Sequence, residues 1–583
     1  MAFGIVEWFL LGRLFDINLI STGRGFRVSG ETRGIARRVA TLGVVAAVMM
    51  VAIVIRHNRA SAPAPEVTQT AALRITDPPS CPNPTAFSMT GPGWNGWSID
   101  PRNGRFQPDP GLTPSDVPRL KVKWAFSYLG GKYGQPTVVG GRLFLTSTSG
   151  AVYSIDARTG CLFWRFKQST RSRTTVSVGP APGVAPSGYA AYFGDMSSDV
   201  YAVDAATGIL LWKTRVDPHP RSVLTGSPVL FKDRLYVPVS SYEEGVASLA
   251  QYSCCTFRGS VVALDTETGG IAWQAFAIEQ PPGPLRKNSA GTQMYGPAGA
   301  AVWSAPTIDA KRNRLYFATA NSYTDSVEGG SDAVIAVDLA SGKIVWRRQV
   351  SQRDNDLSGC LSRRQQVNCP LTHGRDHDFG ASPVLLPLPS GKDILLAGQK
   401  SGTVFGIDPD TGNVVWTTQV GVGGPLGGVE WGMASDGARL YVANADTLTT
   451  DARRPGLFAL DPATGKDIWY APTPRVQCRW RGGTPCFNAQ SAAPSVIPGV
   501  VFGGTTDGHE RAYTSSDGTV LWDFDTGGQT YQTINGINAQ SGGPIDVSSG
   551  TIAGGMLFLF CGYLGVLGGE ANNVLLAFSV DGR

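Results

Sequence analysis

Charge blocks, zinc-type cysteine pairs and a haem attachment motif are all missing from this chain. Only 16% of its residues are charged and the net charge is +5. The body of the chain holds no Lys/Arg block, so the electrostatic footprint of a nucleic-acid binder is absent. No CxxC occurs and there are only five histidines, which leaves zinc without ligands at a usable spacing. There is no CxxCH either, so no c-type haem is expected on this chain. Nor does the composition fit disorder, which needs few aromatics and a high net charge; here aromatics make up 9%.

What is abundant is glycine (73) and proline (39), the residues of tight turns between short strands. The first residues differ from the rest. Residues 1–38 are basic towards their end (Arg33, Arg37, Arg38), and Val39–Ile55 is apolar and free of charge, followed by Arg56, His57 and Arg59. The run is slightly shorter than the ~20 residues of a membrane span and longer than a usual secretory core. It reads as an anchor or an export signal, with its basic flank on the cytoplasmic side. Ala60-Ser61-Ala62 resembles a cleavage site, and Pro63 directly after it opposes cleavage. A buried core helix is the competing reading of the run. Residues 56–79, rich in Pro, Ala and Thr from Ser61, read as a linker. The expected domain is then 80–583, outside the cytoplasm.

The nine cysteines agree with export. Cys360 with Cys369, and Cys478 with Cys486, are placed to close short loops in Gly-, Pro- and Arg-rich stretches. Cys81, Cys161 and Cys561 have no obvious partner.

The most informative feature is a repeat. A β-branched strand leads into Asp-x-x-Thr/Ser-Gly, then three residues, then Trp. It occurs as VYSIDARTGCLFW (ending at Trp164), VYAVDAATGILLW (Trp212), VVALDTETGGIAW (Trp273), VIAVDLASGKIVW (Trp346), VFGIDPDTGNVVW (Trp416) and LFALDPATGKDIW (Trp469). A degenerate copy ends at Trp522. LKVKWAF at Trp124 is an end without a beginning, and VLLAFSVDG near the C-terminus is a beginning without an end. Each unit is a hairpin whose Asp accepts turn N–H bonds and whose Gly takes positive φ. One hairpin cannot bury its apolar face, so neighbours must stack. Seven units and a split eighth predict an all-β, eight-bladed β-propeller in which the strand near Val574 pairs with Lys121–Phe126 and closes the ring. The longer intervals ending at Trp273, Trp346 and Trp416 place inserted loops, and hence the site, on those blades.

The repeat resembles the tryptophan-docking repeat of the pyrroloquinoline quinone (PQQ) alcohol dehydrogenases, over roughly residues 115–583. A non-enzymatic scaffold of the outer-membrane assembly lipoprotein type shares it, so the inserted blades decide. Cys254-Cys255 in YSCCTFRG matches the adjacent-cysteine disulfide that the family sets against one face of the cofactor; two free thiols are the alternative. Its SSYEEG…CCTFRG setting resembles the polyvinyl alcohol dehydrogenases. Trp303, outside the repeat, is suited to stack on a planar quinone. Glu243 and Asn321 end apolar strands and offer hard oxygen for Ca²⁺, with Glu244 competing for the role of Glu243. Asp378 in THGRDHDFG resembles the catalytic aspartate and joins the metal set, with Asp376 as its competitor. Lys400 in AGQKSG matches the cation that hydrogen-bonds the quinone oxygens, and Trp431 is assigned to the pocket floor.

The resemblance implies oxidation of an alcohol, with a secondary alcohol such as polyvinyl alcohol as substrate. Asp378 takes the hydroxyl proton, Lys400 supports charge on the quinone oxygens, and Ca²⁺ polarises the quinone carbonyl. With no haem on the chain, electrons pass to a separate acceptor such as a cytochrome c. A methanol-type or sugar dehydrogenase keeps this chemistry with another substrate.

Overall fold

Each Asp-x-x-Thr/Ser-Gly segment folds into the turn its chemistry calls for. Asp156 Oδ1 accepts the backbone N–H of Arg158 (3.0 Å) and of Thr159 (2.7 Å). Asp204, Asp265, Asp408 and Asp461 repeat the pattern. The glycine that ends the turn has φ of 69–76° at Gly208, Gly269, Gly342, Gly412, Gly465 and Gly518. In this computed structural model the described residues are 77–82, 87–325, 329–360, 367–372, 374–447, 453–476, 488–539, 542–562 and 573–583. Residues 1–38 and 39–55 and most of the linker 56–79 lie outside them, as do Cys478 and Cys486. Among the described residues no helix is long and apolar enough to cross a membrane.

The turns organise eight antiparallel sheets, each built on four strands. Blade one is Thr137–Val139, Arg142–Thr146, Ala151–Asp156 and Leu162–Lys167, from the channel outwards. The innermost strands of blades two to seven are Ser177–Pro180, Val229–Phe231, Thr307–Asp309, Val384–Pro387, Met433–Ser435 and Ser495–Ile497. Blade eight is split as the sequence predicts. Thr551–Ala553, Met556–Phe560 and Val574–Val580 come from the C-terminus, and Leu120–Ser127 pairs on the outside with Leu120 opposite Val580 and Ser127 opposite Val574.

Neighbouring blades are joined by the repeat's tryptophan. Its indole N–H donates to a turn carbonyl of the next blade at 3.0–3.3 Å, from Trp124, Trp164, Trp212, Trp273, Trp346, Trp416 and Trp469. Its ring covers the turn glycine of that blade. A Cβ on Gly208, Gly269, Gly342, Gly412 or Gly518 would lie 2.6–2.7 Å from the ring. The degenerate seventh copy docks differently: Trp522 packs edge-on against Phe578 of blade eight at 5.5 Å.

The segment before the first strand is also part of the ring. Between Trp94 and Pro110 it runs around the channel and meets the inward-facing edges of the blades in order. Trp94 exchanges two backbone hydrogen bonds with Val138 of blade one. Asn95 bonds Val178 of blade two through its side chain. The carbonyls of Pro101, Arg102, Gly104 and Arg105 then accept from Ile308, Leu385, Ser435 and Val496 of blades four to seven. Gln107 and Pro110 reach blade eight. This belt caps edges that would otherwise carry unpaired N–H and C=O groups. The buried Arg105 sits at its centre, bonded to Gln135 and Ser495 and to the carbonyls of Pro494 and Trp97. Its guanidinium lies 4.5 Å from the Trp97 ring centroid.

Cys81 and Cys161, unassigned from sequence, are bridged, and Cys360–Cys369 is bridged as expected. The first of these pins residues 77–81 along the outer strand of blade one, where Leu162 N–H donates to Pro79 O at 2.9 Å. Residues 77–79, which belong to the expected linker, thus lie along blade one.

The docking geometry sets a test. Gly188→Ala, at φ 79° with nothing within 4 Å, pays only the strain of the left-handed backbone, ~1 kcal/mol. Gly208→Ala adds the clash with Trp164 and costs a further ~1–3 kcal/mol. Urea unfolding of the two variants should separate them by that margin; equal losses would mean that the ring does not gate this position.

Candidate active site

In an antiparallel blade, the start of the innermost strand and the end of the second strand lie at the same end of the sheet. Chemistry placed at both positions on neighbouring blades therefore converges at one mouth of the channel. Glu244 follows the second strand of blade three (Arg234–Ser241), Asn321 that of blade four (Arg314–Ala318) and Lys400 that of blade five (Asp393–Gly398). Trp303, Asp378 and Trp431 precede the innermost strands of blades four, five and six. All six occupy coil or a short helix just beyond the strands, where the ladder has ended and side chains are free to turn inwards.

Glu244, Trp303, Asp378, Lys400 and Trp431 line a cavity of ≈ 270 Å³, together with Arg173, Thr225, Tyr242, Tyr323 and Ser358. That volume is near the lower end of small-molecule sites, ~300–1,000 Å³. The Trp303 and Trp431 rings meet edge to face at 5.3 Å, and the Lys400 ammonium lies 5.2 Å from the Trp303 ring centroid. Both indoles also border a smaller chamber that Trp97 of the belt lines as well.

Lys400 is almost completely buried and bonds both candidate aspartates, Asp376 Oδ1 at 3.0 Å and Asp378 Oδ2 at 3.2 Å. Burial opposes its charge, but Asp376, Asp378 and Glu430 outweigh burial and hold the ammonium well above its ordinary range. The carboxylates around it move the other way. Glu244 is pushed up to about 7 by burial and by the charge of Asp378. Burial raises Asp356 to about 6 and Glu430 to about 8, in each case with help from Asp378. Asp376 rises well above the usual carboxylate range, first by burial. The pocket holds more carboxyl groups than Lys400 can pair with, and burial favours their neutral forms.

Asn321 lies just behind the lining. Its backbone N–H donates to Asp378 Oδ1 at 2.8 Å, and its amide NH₂ donates to the carbonyls of Ser322 and Asp356. Its Oδ1 is buried without a hydrogen-bond partner. An orphaned hard oxygen next to surplus carboxylate is the donor chemistry of a Ca²⁺ site. Among the described residues, no three His, Cys, Asp or Glu side chains converge into a metal cage; the Asn321 amide oxygen is a further hard donor at this spot. The residues present thus fit both a planar anionic cofactor over Trp303 and a hard cation beside Asp378.

Two of the expected site groups stand away from this lining. Glu243, the expected metal ligand, does not face the cavity. It opens the helix Glu243–Ala247, fully buried, and its carboxylate accepts the N–H groups of Thr256 (2.9 Å) and Phe257 (2.8 Å) and the Tyr252 hydroxyl (3.1 Å). Successive side chains of a helix diverge by ~100°, so Glu244 alone turns to the cavity. The Cys254–Cys255 disulfide forms, but it does not line the cavity. It is fully buried in the core cluster that contains Ala301, Ala320 and Tyr323, with Trp303 packed against that cluster. Sequence reading also missed Arg173, Asp356, Ser358 and Glu430. None stands in a motif, and only the charge-rich coil before each inner strand could have pointed to them.

The fold is that of quinoprotein alcohol dehydrogenases. The quinohemoprotein alcohol dehydrogenase of Comamonas testosteroni superposes with a TM-score of 0.60 at 17% identity, over 84% of this chain and 81% of that one. A family model described as "Glucose/ethanol/alcohol dehydrogenase, beta-propeller domain" matches residues 94–356. One described as "Outer membrane protein assembly factor BamB" matches 400–542, the stretch holding the repeats that end at Trp416 and Trp469 and the degenerate copy at Trp522. A polyvinylalcohol dehydrogenase from a Pseudomonas species is 46% identical over 87% of this chain and 80% of its own length. That of Sphingopyxis sp. (strain 113P3) is 43% identical with the same coverage. The chain belongs to the PQQ-dependent alcohol dehydrogenases, in the family of the polyvinyl alcohol dehydrogenases. This sets aside the scaffold alternative, whose likeness is that of the blade repeat.

The two adjacent glutamates give a test. Glu243→Gln sets an amide donor against the N–H groups of Thr256 and Phe257 and costs ~1–3 kcal/mol by urea unfolding. An unchanged midpoint would mean that the buried carboxylate holds nothing.

Proposed function

We propose that this enzyme oxidises secondary alcohols, polyvinyl alcohol among them, with PQQ bound over Trp303 in the cavity and Ca²⁺ held by Glu244, Asn321 Oδ1 and Asp378. The observation that carries the metal assignment is the unpartnered, buried Asn321 Oδ1 beside Asp378. When bound, the quinone supplies a two-electron acceptor and the ion a fixed positive charge next to it.

The chain's own residues do the rest. Asp378 accepts the proton of the substrate hydroxyl at Oδ2, the oxygen that faces Lys400. The Asn321 N–H on Oδ1 fixes the plane of that carboxylate. Lys400 presents a buried positive charge to cofactor oxygens, where low dielectric strengthens it. Asp376 anchors the ammonium from a second direction, which limits its swing. Arg173 adds a second cation at the wall for an anionic ligand. The edge-to-face pair of Trp303 and Trp431 gives a rigid apolar floor that excludes water.

Electrons leave for a separate acceptor, a cytochrome c. The three disulfides among the described residues support an extracytoplasmic site of action. The apolar Val39–Ile55 run would export or tether the enzyme. Nothing in the charge distribution favours nucleic acid as a partner.

Asp378→Asn should cut turnover of a secondary alcohol by ~10³-fold or more while the absorbance of bound quinone persists. Turnover near the parental rate would remove Asp378 from the chemistry. Chelating Ca²⁺ from the holoenzyme should abolish dye-coupled activity, and added Ca²⁺ should restore it. Activity that survives chelation would take the metal out of the reading.

A further inference from the structure

The helix Glu243–Ala247 has only five residues and cannot hold its own direction. Its last carbonyls also need partners from outside the helix. Both needs are met by one side chain from another insertion. Asn368 Nδ2 donates to the carbonyls of Ala247 (2.7 Å), Leu249 (2.7 Å) and Tyr252 (3.1 Å). Asn368 is itself fixed, since its Oδ1 accepts from Asn288 Nδ2 at 2.6 Å. Asn288 is buried and belongs to the turn between the strands Gly283–Lys287 and Gln293–Gly296. Arg286 of the same hairpin donates to Cys369 O at 2.9 Å.

Asn368 directly precedes Cys369, which is bridged to Cys360. Two residues before the other half-cystine, Cys360, the Ser358 hydroxyl donates to Glu244 Oε1 at 2.8 Å. The two arms beside the Cys360–Cys369 bridge therefore hold the carboxylate from one side, through Ser358, and the C-terminal turn of its helix from the other, through Asn368. Leu357, Cys360 and Cys369 are buried in the same cluster as Ala247, Cys254 and Cys255, so the clamp is packed into the core that backs the cavity.

We infer that Asn368 is the positioning residue for Glu244, setting the direction in which that carboxylate meets a cation, with Ser358 as its counterpart at the oxygen. This rests on the reading of Glu244 as a metal ligand, and the two are separable. The experiment titrates CaCl₂ into the cofactor-free full chain by calorimetry, for the parent, Asn368→Asp, Ser358→Ala and Glu244→Gln. Asn368→Asp keeps size and loses the donors. It should weaken Ca²⁺ binding about tenfold or more, as loss of a ligand's own support does, while kcat of the PQQ-loaded variant at saturating Ca²⁺ returns to the parental value. A lowered melting temperature with a Ca²⁺ Kd within about twofold of the parent would make Asn368 a structural residue only and overturn the inference. Should Asn368→Asp not fold, Ser358→Ala decides from the other end: a severalfold weaker Kd supports the clamp and an unchanged one ends it. If Glu244→Gln binds Ca²⁺ like the parent, the ligand assignment itself is wrong, and the inference falls with it for that distinguishable reason.

Discussion

An indole lying on a bare glycine is the contact on which this molecule depends. A side chain on that glycine would hold the ring off, and a smaller residue in place of tryptophan would leave the turn carbonyl without its donor. Repeated from blade to blade, the contact fixes the spacing of the sheets. The spacing in turn brings the ends of the second strands of blades three, four and five to one side of the same cavity. The polar residues of the site sit at those ends. Their mutual geometry is thus inherited from contacts made at the outer edges of the blades, far from the cavity.

Much of this architecture is legible in the sequence because the repeat is a physical unit. A turn that needs Asp, Thr and Gly at set positions leaves a mark whatever surrounds it, and two half-marks at the ends imply ring closure. Asp378 and Lys400 could be found for a related reason: a charged residue at the edge of an apolar strand must answer to something. The choice between Glu243 and Glu244 was not available from sequence. Strand alternation would turn one of the two inward, but the chain leaves the strand at Ser241 and enters a helix at Glu243, so a different period governs. The Cys81–Cys161 bridge was hidden because its partners are 80 residues apart and no local loop joins them. The belt was hidden for the same reason. Its hydrogen bonds use backbone carbonyls, which carry no residue signature.

The charges at the site are arranged by opposition. Lys400 is kept charged by Asp376 and Asp378, and burial pushes the Asp376 carboxyl well above its ordinary range. Such a cluster is costly to bury in isolation. Its surplus of carboxylate and its idle amide oxygen make sense when a further cation completes it. Glu243 shows the other use of an acidic side chain in the same few residues: wholly enclosed by N–H donors, it ties Tyr252, Thr256 and Phe257 around the cysteine pair.

The belt from Trp94 to Pro110 carries a consequence for how the chain comes together. It precedes every blade in the order of synthesis, yet it hydrogen-bonds strands as late as Ile552. No partial ring can offer it a full set of partners. It is therefore among the earliest parts of the propeller to be made and among the last to settle. Once it has settled, every blade it touches is tied to one continuous strand of backbone, so loosening any one of those blades must also disturb the belt that the others share.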